Sequence, residues 1–391
     1  MKSQCLESNI WKFFIFNLTQ RRHYVAILSI FFLTLPDTTA KQIGIYSLAG
    51  YLASFILEIP SGYLSDRIGH KKILVLSKIL LLFSILSFIY ATSLIYFIIG
   101  SVLFASSAAF ESGTTSAFMH NTFIELKREK EYVKIMSKIS ANASLVAAFL
   151  ILILPFTTKI SIVFPLKINF VLDVIGLFVA LSFVSPKEKI TAQNEEPLPL
   201  KNLFKKLYGT GFYLMSVFLG IITGFVLAVS PYNGVYLQSL GFPVIFIGVL
   251  VSFSRVFMFF FGHFSHVIEK KIGAKDLIFY EIFFFTTLCL LISLYNNPYL
   301  VGLMIVILIG YYHARKMLMT GYFLDNFCVN DKLKATMLSI NAQIESVFQA
   351  IAMLFLMFLM NYSYKIGYFF AGVMLFISLS LIYIRLRKKL K

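Results

Sequence analysis

Ionisable side chains interrupt long apolar runs at Arg21 and Arg22, Glu111, Asp173, Arg255, Glu281, His313, Arg315, Lys316 and Glu345. A charge inside such a run is costly to desolvate unless it is paired or faces a wet cavity, so each is a candidate for handling a solute or a proton. Glu111 is the first candidate for loading and releasing protons and Asp173 the second, because a carboxyl in a desolvated cavity can exchange protons near neutral pH. Arg22, Arg255, Arg315 and Lys316 could hold an anionic group. Ion pairing among these residues, for example Arg22 with Glu111, explains them equally well. His263-x-x-His266-x-x-Glu269 has helical spacing that fits a metal, but it sits where a span leaves the membrane and polar residues are ordinary, so no metal is assigned. Cys5, Cys289 and Cys328 show neither metal nor disulfide spacing. No nucleophile–base pair, phosphate loop or cofactor motif is present, so neither an enzyme nor a cofactor is expected.

The elements that carry these groups are membrane spans. The chain is 59% hydrophobic and 14% charged with a mean hydropathy of +0.82, whereas soluble domains average about 25% charged residues. Runs of about twenty apolar residues recur along it, the length that crosses a bilayer core. Twelve spans are predicted, near 11–35, 42–61, 73–92, 95–119, 134–157, 161–184, 209–231, 243–262, 276–295, 299–323, 336–360 and 365–384. The fold class is thus an all-α polytopic membrane protein. Of the cations behind the +17 net charge, roughly two dozen fall in alternate loops, and the intervening loops hold only Lys41, Lys159 and Lys365. The bias is topological: both termini lie in the cytoplasm, and nucleic acid is not a partner. The first span has no small-residue cleavage site after it and is expected to remain as an anchor.

Residues 186–206, with Glu195-Glu196-Pro197-Leu-Pro199 and several lysines, are too polar to span and link two six-helix halves, 1–185 and 207–391. An amphipathic piece near Leu200–Leu207 would lie on the membrane surface. The halves share traces of a repeat. Ile68-Gly69-His70-Lys71 returns as Ile272-Gly273-Ala274-Lys275, and Ile43-Gly44-Ile45 as Ile247-Gly248-Val249, both at an offset of 204. Phe118-Met-His-Asn121 and Ser140-Ala-Asn142-Ala143 return similarly around Phe323 and Ser339. In span 1, Thr19, Arg22, Ala26 and Ser29 would share one helical stripe, with Arg21 beside Asn17 and Tyr24. A later start of the span would instead let both arginines snorkel to the interface. Tyr232, Asn233 and Tyr236, near the outer end of span 7, are candidate solute contacts.

Gly62-Tyr-Leu-Ser-Asp66-Arg67-Ile-Gly69-His-Lys71-Lys72, preceded by Glu58-Ile-Pro60-Ser, forms a tight basic turn between spans 2 and 3. It resembles the loop 2–3 signature of the Major Facilitator Superfamily. Lys334-Ala335-Thr336-Met-Leu338-Ser339, at the start of span 11, resembles another element of that family, with Lys in place of Arg. His70 stands where Arg is commoner, the second-half counterpart of the turn from Gly262 is degenerate, and span 5 lacks the Gly-Pro motif of many drug–proton antiporters of the family. Gly62 is expected to let helices approach closely.

The resemblance implies a secondary transporter of the cytoplasmic membrane, working as a monomer and moving a small solute by alternating access. Proton-coupled efflux is the expected mode, because the Glu-Ile-Pro-Ser-Gly variant looks exporter-like. A siderophore-like organic-anion importer or facilitator, and a non-transporting sensor, are the alternatives. The Lys, Ile and Phe bias looks bacterial. The resemblance also places Glu58, Gly62, Asp66, Arg67, Gly69 and Lys334 in a cytoplasmic gate. If Asp66 and Lys334 attract one another in that gate, Asp66→Lys and Lys334→Asp each lower solute flux in membrane vesicles. The exchanged pair then recovers it; a double variant as impaired as the singles removes the gate.

Overall fold

The computed structural model describes residues 2–186, 211–258, 273–327 and 334–389. Every regular element among them is helical. Among the described residues, nine helices are long and apolar enough to cross a bilayer. They coincide with expected spans 3 to 7 and 9 to 12. Span 2 is a bent pair, span 1 is broken, and span 8 is described only as the shorter apolar helix Val244–Met258.

The chain divides into two compact units. Unit 1 comprises Met1–Thr38 and Ala49–Glu195, and unit 2 comprises Thr39–Leu48 and Glu196–Lys391. Unit 1 contains α1 (Lys2–Gln20), α2 (Val25–Phe32), most of α3 (Ala40–Ile68), α4 (His70–Ile89), α5 (Leu94–Glu111), α6 (Thr114–Glu125), α7 (Tyr132–Ile153) and α8 (Phe164–Ser182). Unit 2 contains α9 (Phe212–Val229), α10 (Asn233–Ser239), α11 (Val244–Met258), α12 (Ala274–Leu294), α13 (Pro298–Phe327), α14 (Lys334–Tyr362) and α15 (Tyr364–Leu386). The start of α3 is counted with unit 2, where the Lys41 backbone N–H donates to Asn361 Oδ1 at 3.1 Å. Pro60 lacks an N–H and its ring crowds the preceding turn, so α3 bends by 51° between Ala40–Glu58 and Pro60–Ile68.

Helix pairings within the units match one another at a six-span interval. In unit 1, α4 packs on α5 and α8, and α1 on α7 and α8. In unit 2, α12 packs on α13 and α15, and α9 on α14 and α15. The repeated Gly69 and Gly273 have φ of +105° and +78° and immediately precede α4 and α12. Side chains with a Cβ rarely adopt that conformation, so the same residue serves the same turn twice.

The core of unit 1 gathers Phe13 and Phe16 of α1, Leu74 of α4, Phe118 and Phe123 of α6, and Phe183 just after α8. Asn9 donates to Val184 O at 2.8 Å and accepts from Val184 N–H at 3.0 Å, so α1 holds the chain just past α8. Arg128 binds Glu7 and Glu131, and hydrogen bonding to Glu131 first, with Glu7 adding, holds its guanidinium pKa above the ordinary value.

Close helix packing rests on glycines other than Gly62. A Cβ at Gly224 would lie 2.6 Å from the Phe348 carbonyl oxygen, whereas one at Gly62 meets nothing within 4 Å. The tight approach expected at Gly62 is absent because that turn of α3 faces open space. Gly224→Ala should therefore lower the stability of detergent-purified protein by about 1–3 kcal/mol. Gly62→Ala should leave it unchanged or raise it slightly. Thermal melting of the two variants checks the contrast.

Candidate functional site

Span 1 is interrupted between Gln20 and Val25, in the middle of its apolar run. The segment holds neither proline nor glycine, so the break must be sustained by side chains that satisfy the backbone groups it frees. Arg22 does most of this. Its Nη2 donates to Thr19 O at 2.7 Å and its Nε to Gln20 O at 3.3 Å, both at the carbonyl end of α1. The same guanidinium binds Asp173 of α8 in bidentate fashion, Nη1 to Oδ2 at 2.7 Å and Nη2 to Oδ1 at 2.6 Å. Asn169, one turn before Asp173, accepts from the His23 backbone N–H at 3.3 Å and donates to Asp173 at 3.3 Å. Arg22 and Asp173 side chains are 5% and 0% exposed. The expected stripe from Thr19 through Arg22 to Ala26 and Ser29 is therefore not one continuous helix face. Neither arginine snorkels out of a later-starting span: Arg22 turns inward, and Arg21 donates to Asn17 at 3.3 Å.

Lys78 of α4 completes this cluster, and the sequence reading overlooked it. Its side chain is fully buried. Nζ donates to Phe16 O at 3.2 Å and to Thr19 Oγ1 at 2.9 Å, and lies 4.3 Å from the centre of the Phe16 ring. The signal was present: Lys78 lies eight residues inside α4, about 12 Å from its start at 1.5 Å per residue. It was passed over because Lys71 and Lys72 precede it and the three look like one loop cluster.

Glu111 is the last residue of α5, where span 4 is itself interrupted at Ser112-Gly113. Gly113 takes φ of +72°, which favours glycine there. Glu111 lies beside Gln20 and within electrostatic reach of Lys78. The arginine partner of Glu111 suggested by the sequence is absent, because Asp173 occupies Arg22. Glu58 of α3 accepts from Ser112 at 3.3 Å at the same interruption. Ser65, His70 and Thr114 are linked at 2.9 Å, Ser65 to His70 Nδ1 and Thr114 to Ser65. That buried chain gives a physical role to a histidine at position 70. Asp66 and Arg67 are exposed, and the Lys334 side chain lies outside the described residues. His263, His266, Glu269, Cys328 and the 187–206 stretch also lie outside them.

Unit 2 holds a second buried charge pair. Arg315 of α13 binds Glu281 of α12 through Nε at 2.5 Å and Nη2 at 2.8 Å, and Tyr311 donates to Glu281 at 3.1 Å. Arg315 also lines a small open cleft with Thr223, Tyr312, Lys316, Asn341 and Glu345. Lys316 approaches Glu345 at 4.0 Å, and Asn341 donates to Glu345 at 2.7 Å. Asn341 Oδ1 is buried and has no hydrogen-bond partner among the described residues, so the cleft offers an unused acceptor. Arg255 is exposed on α11 and within electrostatic reach of His313. Tyr232 and Tyr236 do not line the cleft; both are buried, and Tyr236 donates to Ile292 O at 3.0 Å. Asn233 is bound by the Tyr368 hydroxyl.

Breaking a buried ion pair on one side leaves an uncompensated charge, which costs more than replacing both partners with apolar groups. Arg22→Met alone should destabilise the protein by about 3–5 kcal/mol, and Arg22→Met with Asp173→Leu should restore much of that loss. Thermal melts of the two singles and the double check this.

Comparison with known proteins agrees with the fold. The solved nucleoside transporter NupG, as a variant, is similar with a TM-score of 0.79 at 11% identity, covering 100% of both chains. A D-xylose–proton symporter is similar with a TM-score of 0.71 at 13% identity, covering 96% of each chain. A POT family transporter solved with 5-aminolevulinic acid is similar with a TM-score of 0.67 at 13% identity, covering 98% of this chain and 97% of its own. No curated protein sequence matches. At such identities the likeness is one of fold, but the sequence itself matches the family description over residues 13–324. This chain belongs to the Major Facilitator Superfamily.

Proposed function

We propose that this protein is a secondary transporter of the cytoplasmic membrane that exports a small solute in exchange for protons, with Glu111 as the proton-carrying group. It works as a monomer with both termini in the cytoplasm, and its two halves alternate access to the solute. The observation that carries this reading is the difference between the arginines and the lysines. Arg22 and Arg315 are each locked to a carboxylate by two hydrogen bonds. Glu111 faces Lys78 with no ion pair within 4 Å among the described residues, and Glu345 meets Lys316 only at 4.0 Å. A carboxyl without a locked arginine can take up and release a proton without abandoning a buried guanidinium. Asp173, by contrast, has both oxygens engaged, so Glu111 is the better proton carrier.

The same observation weighs against an organic-anion importer, because Arg22 and Arg315 are already neutralised within the protein. Solute binding in the unit 2 cleft is better matched by a polar molecule that donates to Asn341 Oδ1 and bridges Lys316 and Glu345. The gate assigned to Glu58, Gly62, Asp66, Arg67, Gly69 and Lys334 belongs to this proposal. The contact of Glu58 with Ser112 supports it by linking the loop 2–3 segment to the interruption beside Glu111.

The test begins with thermal shifts of purified protein against matched panels of organic anions, organic cations and neutral polar solutes. A ligand at a hundredfold excess over Kd stabilises the folded state by about 2.7 kcal/mol. The stabilising compound is then used in proteoliposomes with an imposed pH gradient. Wild type should exchange solute for protons and dissipate the gradient. Glu111→Gln should abolish gradient-driven flux while retaining solute counterflow. Flux indifferent to the gradient would remove the proton coupling, and movement of solute and protons in the same direction would remove the exchange.

A further inference from the structure

α1 ends at Gln20, within the first apolar run of the chain, and its last-turn carbonyl oxygens meet protein side chains where a full span would continue. Such an end carries the negative pole of the helix dipole. In broken membrane helices, carbonyls at this kind of end coordinate monovalent cations. Here the position is already filled from within. Lys78 Nζ lies 3.2 Å from Phe16 O and 2.9 Å from Thr19 Oγ1. The Thr19 hydroxyl spends its only proton on Phe16 O at 3.0 Å, so it presents a lone pair to Lys78. The Phe16 ring face adds a third electron-rich surface at 4.3 Å.

Space agrees with this placement. Gly176 of α8 provides room: a Cβ there would lie 3.1 Å from Lys78 Nζ and 2.4 Å from Thr19 Oγ1. A side chain at 176 would displace the ammonium from its oxygens.

We infer that the Lys78 ammonium is a tethered cation occupying a monovalent-cation site at the carbonyl end of the broken first span. The wild-type protein consequently needs no sodium or potassium there, and shortening the side chain exposes a site for a free monovalent cation. This stands independently of solute identity, direction and proton coupling.

Three variants of the full chain, purified in detergent, test it by melting temperature. Sodium, potassium, ethylammonium and tetramethylammonium chlorides are compared at equal ionic strength. Lys78→Met keeps the volume of the stem and loses the charge; it should melt about 5 °C or more below wild type. Lys78→Gln, which keeps a neutral N–H donor, should melt nearly as low. Lys78→Ala leaves the pocket empty and should be stabilised by ethylammonium or sodium in a saturable manner. It should not respond to tetramethylammonium, which is bulky and has no N–H. Wild type should respond equally to all four salts. Lys78→Met or Lys78→Gln as stable as wild type overturns the inference, because the charge is then dispensable. A folded Lys78→Ala that responds to all four salts alike overturns the cation site. Should Lys78→Ala not survive purification, the Met and Gln variants decide the matter.

Discussion

The bidentate contact of Arg22 with Asp173 is the interaction on which unit 1 depends. A helix interrupted in the membrane leaves donors and acceptors that no water can reach, and each must find a protein partner. The Arg22 guanidinium meets two carbonyls at the end of α1 and both oxygens of Asp173 with one planar group. Asn169 then receives the His23 N–H beyond the break. Without Asp173 the guanidinium would be an unpaired buried charge, and without Arg22 the end of α1 would lose its two donors. The bend of span 1, the burial of Lys78 and the packing of α1 on α8 share this origin.

The two units use a common charge chemistry on different helices. Each contains an arginine fixed by two hydrogen bonds to one acid, Asp173 or Glu281. Each also contains a lysine near a second acid without bidentate contact to it, Lys78 near Glu111 and Lys316 near Glu345. The fixed pair is a rigid structural element. The loose pair can change partners at lower cost, since neither member is committed to a bidentate geometry. In unit 1 the loose lysine is buried at a helix end, and in unit 2 it is 63% exposed beside a cleft.

Much of the architecture was legible in the sequence because the bilayer sets it. Hydrocarbon thickness fixes the length of apolar runs, so expected spans 3 to 7 and 9 to 12 fall where helices lie. Gly69 and Gly273 were legible as a repeat because a positive φ tolerates few other residues. Pro60 marks the place where α3 bends, because its missing N–H and its ring break the regular turn. The break in span 1 was not legible: its own residues contain no breaker, and its cause sits on α4 and α8, far along the chain. Partner choice was equally hidden. Arg22 could have met Glu111 or Asp173, and only the packing of α1 on α8 selects the latter. Lys78 was masked by its neighbours in sequence, although the helical rise alone placed it deep in the span.

The separation of Arg22 from its partner bears on how the protein is made. The two residues are 151 positions apart, and ribosomes add about 5–20 residues per second, so roughly 8–30 s pass between their syntheses. An arginine at the centre of an inserting segment costs about 2.5–3.5 kcal/mol on the translocon scale. During that interval span 1 is a poor candidate for lateral release into lipid by itself. It is best retained in the insertion machinery, or shielded by an insertase, until span 6 emerges with Asp173. The nascent chain thus commits its first span to the bilayer late, as part of a six-span assembly rather than one helix at a time.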